Sequence, residues 1–106
     1  MQGDFEVRYA DAARDDLIRL FNFLLERAKT GEDLEAAQSA INNLTVFVEG
    51  HLSRSPFIYR KLGQSPFLRE LIVPFRGAGY VVLYEIDAGS KVTVVAVRHQ
   101  LEDDYH

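Results

Sequence analysis

Four side chains in the C-terminal half of the sequence have the chemistry needed to cleave a phosphodiester without a metal ion. They are two guanidinium groups, a phenol and an imidazole: Arg69, Arg76, Tyr84 and His99. An imidazole can act as an acid or a base near neutral pH, and guanidinium groups stabilise the charge that develops on phosphate oxygens. Cleavage of RNA also needs a second acid–base group, and no residue at a fixed spacing supplies one. Catalysis by these residues is therefore one of two hypotheses, and the other is that the domain acts by binding a partner.

Arg69 and His99 each have a second interpretation. Arg69 shares the parity of the apolar residues around it, so it can lie in a cleft and bind a carboxylate or a phosphate. It can also form an ion pair on the sheet surface with Glu85. His99 ends the last predicted strand, where it can serve as an acid–base group or bond to the backbone. We expect Arg69→Ala to weaken activity without unfolding the domain.

A wider set of residues suits the binding of a partner. Tyr80 and Tyr84 lie on the same face of one predicted strand, where they could stack on bases or line a protein interface. The predicted contacts to a target or a phosphate are Arg60, Lys61, Arg69, Arg76, Tyr80 and Tyr84. The three histidines lack metal-ligand spacing and the chain has no cysteine, so we predict no metal site and no cofactor.

Charge is distributed unevenly along the chain. The formal net charge of the 106 residues is −4, yet residues 50–80 carry +4, against −5 for residues 1–49 and −3 for residues 81–106. An acidic chain is a poor general binder of nucleic acid, because phosphate contacts need a positive surface. The basic middle predicts an acidic partner, either a protein surface or a phosphate backbone.

The apolar pattern of the N-terminal half predicts a strand followed by two helices. Residues 5–9 alternate between apolar and charged side chains, as a half-buried strand does. Apolar residues then recur at helical spacing, with Asp11 as the predicted N-cap of the first helix and Gly31 as its end. A second helix is predicted from about Glu32 to Gly50. The short connection makes the two helices an antiparallel hairpin over about residues 11–50.

The C-terminal half is predicted as a basic loop followed by a meander. Residues 51–66 are rich in Ser, Pro and basic residues, and three apolar segments with tight turns between them form a three-stranded meander over residues 67–99. Residues 100–106 form a polar tail. We therefore predict a single α+β domain, residues 1–106, with the order β-α-α-β-β-β and the hairpin packed on one face of a small, mostly antiparallel sheet. Without a signal peptide or an apolar span, we expect no membrane association and a cytoplasmic location.

Four segments in this order resemble the ParE/RelE superfamily of toxins from bacterial type II toxin–antitoxin modules. They are Ala-Ala-Arg-Asp-Asp-Leu at residues 12–17, Phe-Leu-Arg-Glu-Leu at 67–71, Tyr-Val-Val-Leu-Tyr-Glu-Ile-Asp at 80–87, and the last strand with its Arg-His pair within 94–103. Each segment alone is a weak signal, but four in order with the correct spacing are specific. The resemblance covers about residues 5–104.

The resemblance implies a RelE/ParE-like fold and a hetero-oligomeric complex with a cognate antitoxin. The helix hairpin resembles the ParE branch, which is associated with inhibition of DNA gyrase, whereas the RelE branch is associated with cleavage of mRNA on the ribosome. Many members carry arginines around the terminal histidine, where this chain has Ala96, Gln100, Leu101 and Glu102. The resemblance thus implies a ParE-like, plasmid-stabilisation type toxin that binds a protein such as gyrase. The alternative is a RelE-like, ribosome-dependent mRNA endoribonuclease.

Overall fold

Two helices and five strands make up the domain. Four of the strands and both helices follow one another in the predicted order, and the fifth strand is a short addition. The computed structural model describes residues 4–75 and 78–100, apart from the side chains of residues 75 and 78. The elements are β1 (Glu6–Tyr9), α1 (Asp11–Arg27), α2 (Gly31–Arg54), β2 (Arg60–Lys61), β3 (Leu68–Phe75), β4 (Ala78–Asp87) and β5 (Lys91–His99). The α+β class and the β-α-α-β-β-β order are confirmed, with the two-residue β2 placed before the meander.

All five strands form one sheet with the order β1-β5-β4-β3-β2. β1 runs parallel to β5, with residues 6–9 opposite residues 91–94, and the other pairings are antiparallel. The register sets Arg69 opposite Tyr84 and Tyr80 opposite His99. The candidate site residues on β4 therefore have their partners on different neighbouring strands.

Helix α2 begins and ends at residues other than those predicted. Gly31 is its first residue rather than the end of α1, because the Thr30 side chain caps it by accepting from a backbone N–H in the first turn. The helix also runs through Gly50 as far as Arg54. Leu52 lies in this extra turn and is fully buried. Burying a leucine stabilises a fold by about 2 kcal/mol, which exceeds the roughly 1 kcal/mol that a glycine costs inside a helix.

Helix α1 starts without the predicted side-chain cap. Asp11 is its first helical residue, and Ala10 occupies the capping position without a side-chain hydrogen bond. The predicted apolar stripe is nevertheless the face that packs, since Ala13 and Leu20 are completely buried against the sheet. Tertiary burial therefore sets the position of this helix more than its first turn does.

Side chains of α1 form hydrogen bonds with the backbone of β5 in the part of that strand that has no pairing with β1. β1 ends opposite Val94. Beyond that point the Asp16 carboxylate accepts from the Val97 backbone N–H at 2.8 Å and from Arg98 Nη1 at 2.9 Å. Arg19 Nη2 donates to the Val97 carbonyl at 3.2 Å. These bonds occupy backbone groups that an exposed edge strand would otherwise offer to another chain.

The core lies between the helices and one face of the sheet. Its fully buried members alternate along the strands and recur every three or four residues on the helices: Leu20, Leu44, Val48, Leu52, Val82, Tyr84, Val92, Val94 and Val97. No helix among residues 4–75 and 78–100 packs on the opposite face, where Ile72 is 47 % exposed. The predicted loop over residues 51–66 is partly regular, because it contains the last turn of α2 and β2.

Candidate functional site

Arg69 is a buried clamp on the backbone. Its Nε donates to the carbonyl of Pro66 at 2.8 Å, and its Nη1 donates to the carbonyls of Phe57 and Tyr59, each at 2.8 Å. The residue is 9 % exposed. In this structure the guanidinium is directed at backbone carbonyls inside the protein, rather than toward Glu85 or an open cleft. The contact of Arg69 with a carboxylate or a phosphate of a partner stays a prediction. Sequence spacing could not reveal this, since carbonyl acceptors have no side-chain signature.

Tyr84 completes the clamp from the neighbouring strand. Its hydroxyl donates to the carbonyl of Pro56 at 2.6 Å, and the side chain is completely buried. Burial raises the pKa of the Tyr84 phenol, partly offset by the nearby Arg69 charge. The phenol is therefore a neutral donor at physiological pH. The structure thus places Tyr84 inside the protein, and its predicted contact with a target stays a prediction.

A histidine that the sequence analysis assigns to a loop gives further support to the same segment. His51 lies in the last turn of α2, where its ring stacks on Phe47 with 4.1 Å between the ring centroids. Its Nδ1 is 2.9 Å from the Tyr59 hydroxyl. Phe47 and His51 are four residues apart, a spacing that brings two side chains together on one helix. The prediction that α2 ends at Gly50 hides this pair, because it places His51 outside the helix.

His99 is enclosed by aromatic rings and is not available to a substrate in this structure. The residue is 4 % exposed. Its ring centroid lies 5.0 Å from that of Tyr80 and 5.6 Å from that of Phe23 on α1. Tyr80 is 1 % exposed, and burial raises its pKa. Tyr80 is thus buried in this structure, and its contact with a target stays a prediction.

The residues predicted as a nuclease site do not form one cluster, because Arg69 and Tyr84 lie together but His99 lies apart from them. Tyr84 pairs with Arg69 on β3, whereas Tyr80 pairs with His99 on β5. The two tyrosines are four positions apart on β4, which corresponds to about 13 Å along an extended strand. Arg76, the remaining member, lies outside the described residues. The clamp and the buried histidine are thus separate sites.

Large apolar side chains and cations are exposed around the segment that the clamp holds. Phe57 is 48 % exposed, Ile58 71 % and Phe67 50 %. The Arg60 side chain is 79 % exposed and lies 3.9 Å from Glu70, a weak surface ion pair. Lys61 is exposed as well. Of the five predicted contact residues that the structure describes, Arg60 and Lys61 are the two on the surface.

An aromatic groove adjoins these residues. The rings of Phe5, Phe57 and Phe67 meet edge to face in series, with centroid separations of 6.2 and 6.4 Å. They line a groove of about 490 Å³ together with Ile86 and Asp87. Exposed aromatic rings of this kind are typical of protein interaction surfaces.

The described part of the chain contains neither a cluster of metal-ligating side chains nor a helix that could span a membrane. Within residues 4–75 and 78–100, no three or more His, Asp or Glu residues cluster in a way that could hold a metal ion. Over the same residues, neither helix has the length and apolar character needed to cross a membrane.

Comparisons with known proteins identify the family of this domain. The solved structure of a chromosomal ParDE toxin–antitoxin system from P. aeruginosa is similar in fold, with a TM-score of 0.68 at 11 % identity, over 92 % of this chain and 98 % of that chain. No curated protein sequence matches. The family model for the ParE toxin of the type II toxin–antitoxin system parDE matches residues 7–104. With nearly its whole length matched, the chain belongs to the ParE toxin family of type II toxin–antitoxin systems.

Proposed function

We propose that this ParE-family toxin arrests growth by binding a protein target, DNA gyrase, and that a cognate antitoxin neutralises it by binding the toxin. One observation carries the choice of a binding mechanism. The side chains with catalytic chemistry, Arg69, Tyr84 and His99, are buried, whereas the exposed features near the clamp are apolar and cationic. Such a surface suits recognition of a protein.

The ribosome-dependent nuclease is the competing function. It requires an acid–base group that reaches the 2′-hydroxyl or the leaving oxygen. His99 is the imidazole placed for that role by the resemblance, and it lies behind Phe23 and Tyr80. A nuclease would have to expose this ring by moving α1 away from β5. The bonds of Asp16 and Arg19 to Val97 oppose that movement.

The antitoxin is expected to cover apolar surface on this toxin. The face of the sheet that carries Ile72 has no helix packed on it among the described residues. Exposed apolar area of this kind favours a partner that brings its own apolar face. A complex of toxin and antitoxin, rather than a free toxin, is therefore the proposed resting state.

Two assays in parallel test the proposed target. The purified toxin is added to gyrase supercoiling reactions and to ribosomes programmed with mRNA, and each assay is repeated with the antitoxin present. We expect loss of supercoiling that the antitoxin reverses, with intact mRNA. In cells, a DNA-damage response should precede any fall in protein synthesis. Codon-specific cleavage of mRNA together with unaffected supercoiling would establish the nuclease instead.

A further inference from the structure

Segment 57–61 combines exposed apolar side chains with cations. Phe57 and Ile58 are 48 % and 71 % exposed. Two residues later the exposed cations Arg60 and Lys61 form β2 at the edge of the sheet. An apolar pair beside two positive charges matches an apolar pocket flanked by carboxylates on another protein.

Buried polar groups fix the backbone of this segment. The carbonyls of Phe57 and Tyr59 accept from the Arg69 guanidinium, and the preceding carbonyl, that of Pro56, accepts from Tyr84. The Tyr59 side chain is bonded in turn to His51 on α2. A loop held at three carbonyls within four residues loses little conformational entropy on binding, so its side chains are preorganised for a partner.

The charge of the molecule favours this surface for an acidic partner. The whole chain has a formal net charge of −4, so its overall charge does not attract an acidic protein. Segment 57–61 has two cations and no acidic residue. Within an otherwise acidic toxin, it is a region that attracts carboxylates and steers an acidic partner into contact.

We propose that segment 57–61 is the element by which the toxin engages its protein target, through an apolar pocket flanked by acidic residues. In this proposal Arg69 and Tyr84 are positioning residues that hold the segment in its binding conformation. The proposal rests on the proposed function in one respect, namely that the target is a protein.

Matched pairs of surface variants test the proposal. Ile58→Ser removes the exposed apolar anchor, and Val46→Ser is its control, because Val46 is an equally exposed apolar residue on α2, at 70 %. Lys61→Glu reverses an exposed charge, and Lys29→Glu is the control at another exposed lysine. Each variant is measured for growth arrest, for affinity to purified gyrase, for antitoxin affinity and for its melting temperature. Self-association and the cleavage of mRNA on programmed ribosomes are measured as well.

We expect Ile58→Ser and Lys61→Glu to bind gyrase at least tenfold more weakly and to lose growth arrest. Their melting temperatures should stay at the wild-type value, and both controls should behave as wild type. Wild-type growth arrest by Ile58→Ser and Lys61→Glu would overturn the proposal. So would equal losses in the two controls, or a loss confined to antitoxin affinity or to self-association. Loss of mRNA cleavage by Lys61→Glu alone would assign the segment to RNA and overturn it too.

The result for gyrase separates the two proposals. Suppose that wild-type toxin does not bind gyrase, while Ile58→Ser and Lys61→Glu lose growth arrest. The segment proposal then stands and the gyrase proposal fails. The positioning role has its own measurement, the affinity of Tyr84→Phe for gyrase well below its melting temperature. We expect about threefold weaker binding, whereas a purely structural hydroxyl would leave that affinity unchanged.

Discussion

Replacement of Arg69 by alanine is the most informative single perturbation of this domain. It removes three hydrogen bonds to the carbonyls of Phe57, Tyr59 and Pro66. Hydrogen bonds from a charged donor are worth about 1.5–3 kcal/mol each, which sets an upper limit of about 9 kcal/mol. The segment lies at the surface, however, so its carbonyls can bond to water once it opens. We therefore expect a loss well below that limit, about 3 kcal/mol, which is the upper end of the cost of leaving a buried polar group without its partner.

This magnitude adds a measurable loss of stability to the expectation that Arg69→Ala does not unfold the domain. A loss of about 3 kcal/mol lowers the melting temperature of a domain of this size by about 12 °C or more. It is also a large part of the roughly 5–15 kcal/mol by which domains are stable. Arg69→Lys should recover only part of the loss, because an ammonium group cannot span the positions held by Nε and Nη1.

Urea denaturation and amide hydrogen exchange measure this effect. The free energy of unfolding should fall for Arg69→Ala, and exchange should accelerate first at residues 57–61. Arg8→Ala, at an exposed arginine of β1, is the control and should change stability by less than about 0.5 kcal/mol. If Arg69→Ala matched that control and exchange in the segment stayed slow, the guanidinium would not be what holds it.

Two further predictions concern the sheet edge and the buried phenols. Asp16→Ala should lower the free energy of unfolding by about 1.5 kcal/mol in urea titrations, because it removes the acceptor of two bonds from β5; an equal effect of Asp15→Ala at the exposed neighbouring position would contradict this. Burial raises the pKa of three phenols, Tyr9, Tyr80 and Tyr84. The folded state therefore holds these protons more tightly, and the resulting stability is full below about pH 10 and is lost as the pH rises further. Melting temperatures should fall above pH 10 while tyrosinate absorbance lags behind that of the unfolded chain; early, complete ionisation without loss of stability would refute the assignment.

The fold could be predicted because its elements have clear periodicities. The strand at Val92–Val97 is rich in β-branched residues, and the α1 stripe that contains Ala13 and Leu20 repeats at helical spacing. The end of α2 could not be predicted from Gly50, because the burial of Leu52 outweighs the local preference of the glycine. Most residues of the core that contains Leu52 come from strands far away in the sequence, so its burial follows from the tertiary structure alone.

The candidate site was less predictable than the fold. Arg69 is recognisable as an unusual residue within a strand, but its partners are carbonyls of residues whose side chains give no sign of the contact. His99 is at the predicted strand end, yet its exposure depends on Phe23, which lies on a different element and far away in the sequence. Residue type and spacing identify chemical capacity, whereas access to that chemistry is set by tertiary packing.

The parallel pairing of β1 with β5 has a consequence for the biosynthesis of the toxin. Residues 6–9 pair in the sheet with residues 91–94, so β1 cannot join the sheet until β5 has been made. Contacts between such distant parts of a chain form late, because closing a long loop costs entropy that only the final contacts repay. A nascent chain that stalls before β5 lacks the strand that lies between β1 and β4, so β1 is not joined to the sheet and the core lacks Val92, Val94 and Val97. The complete domain therefore arises only after β5 has been translated.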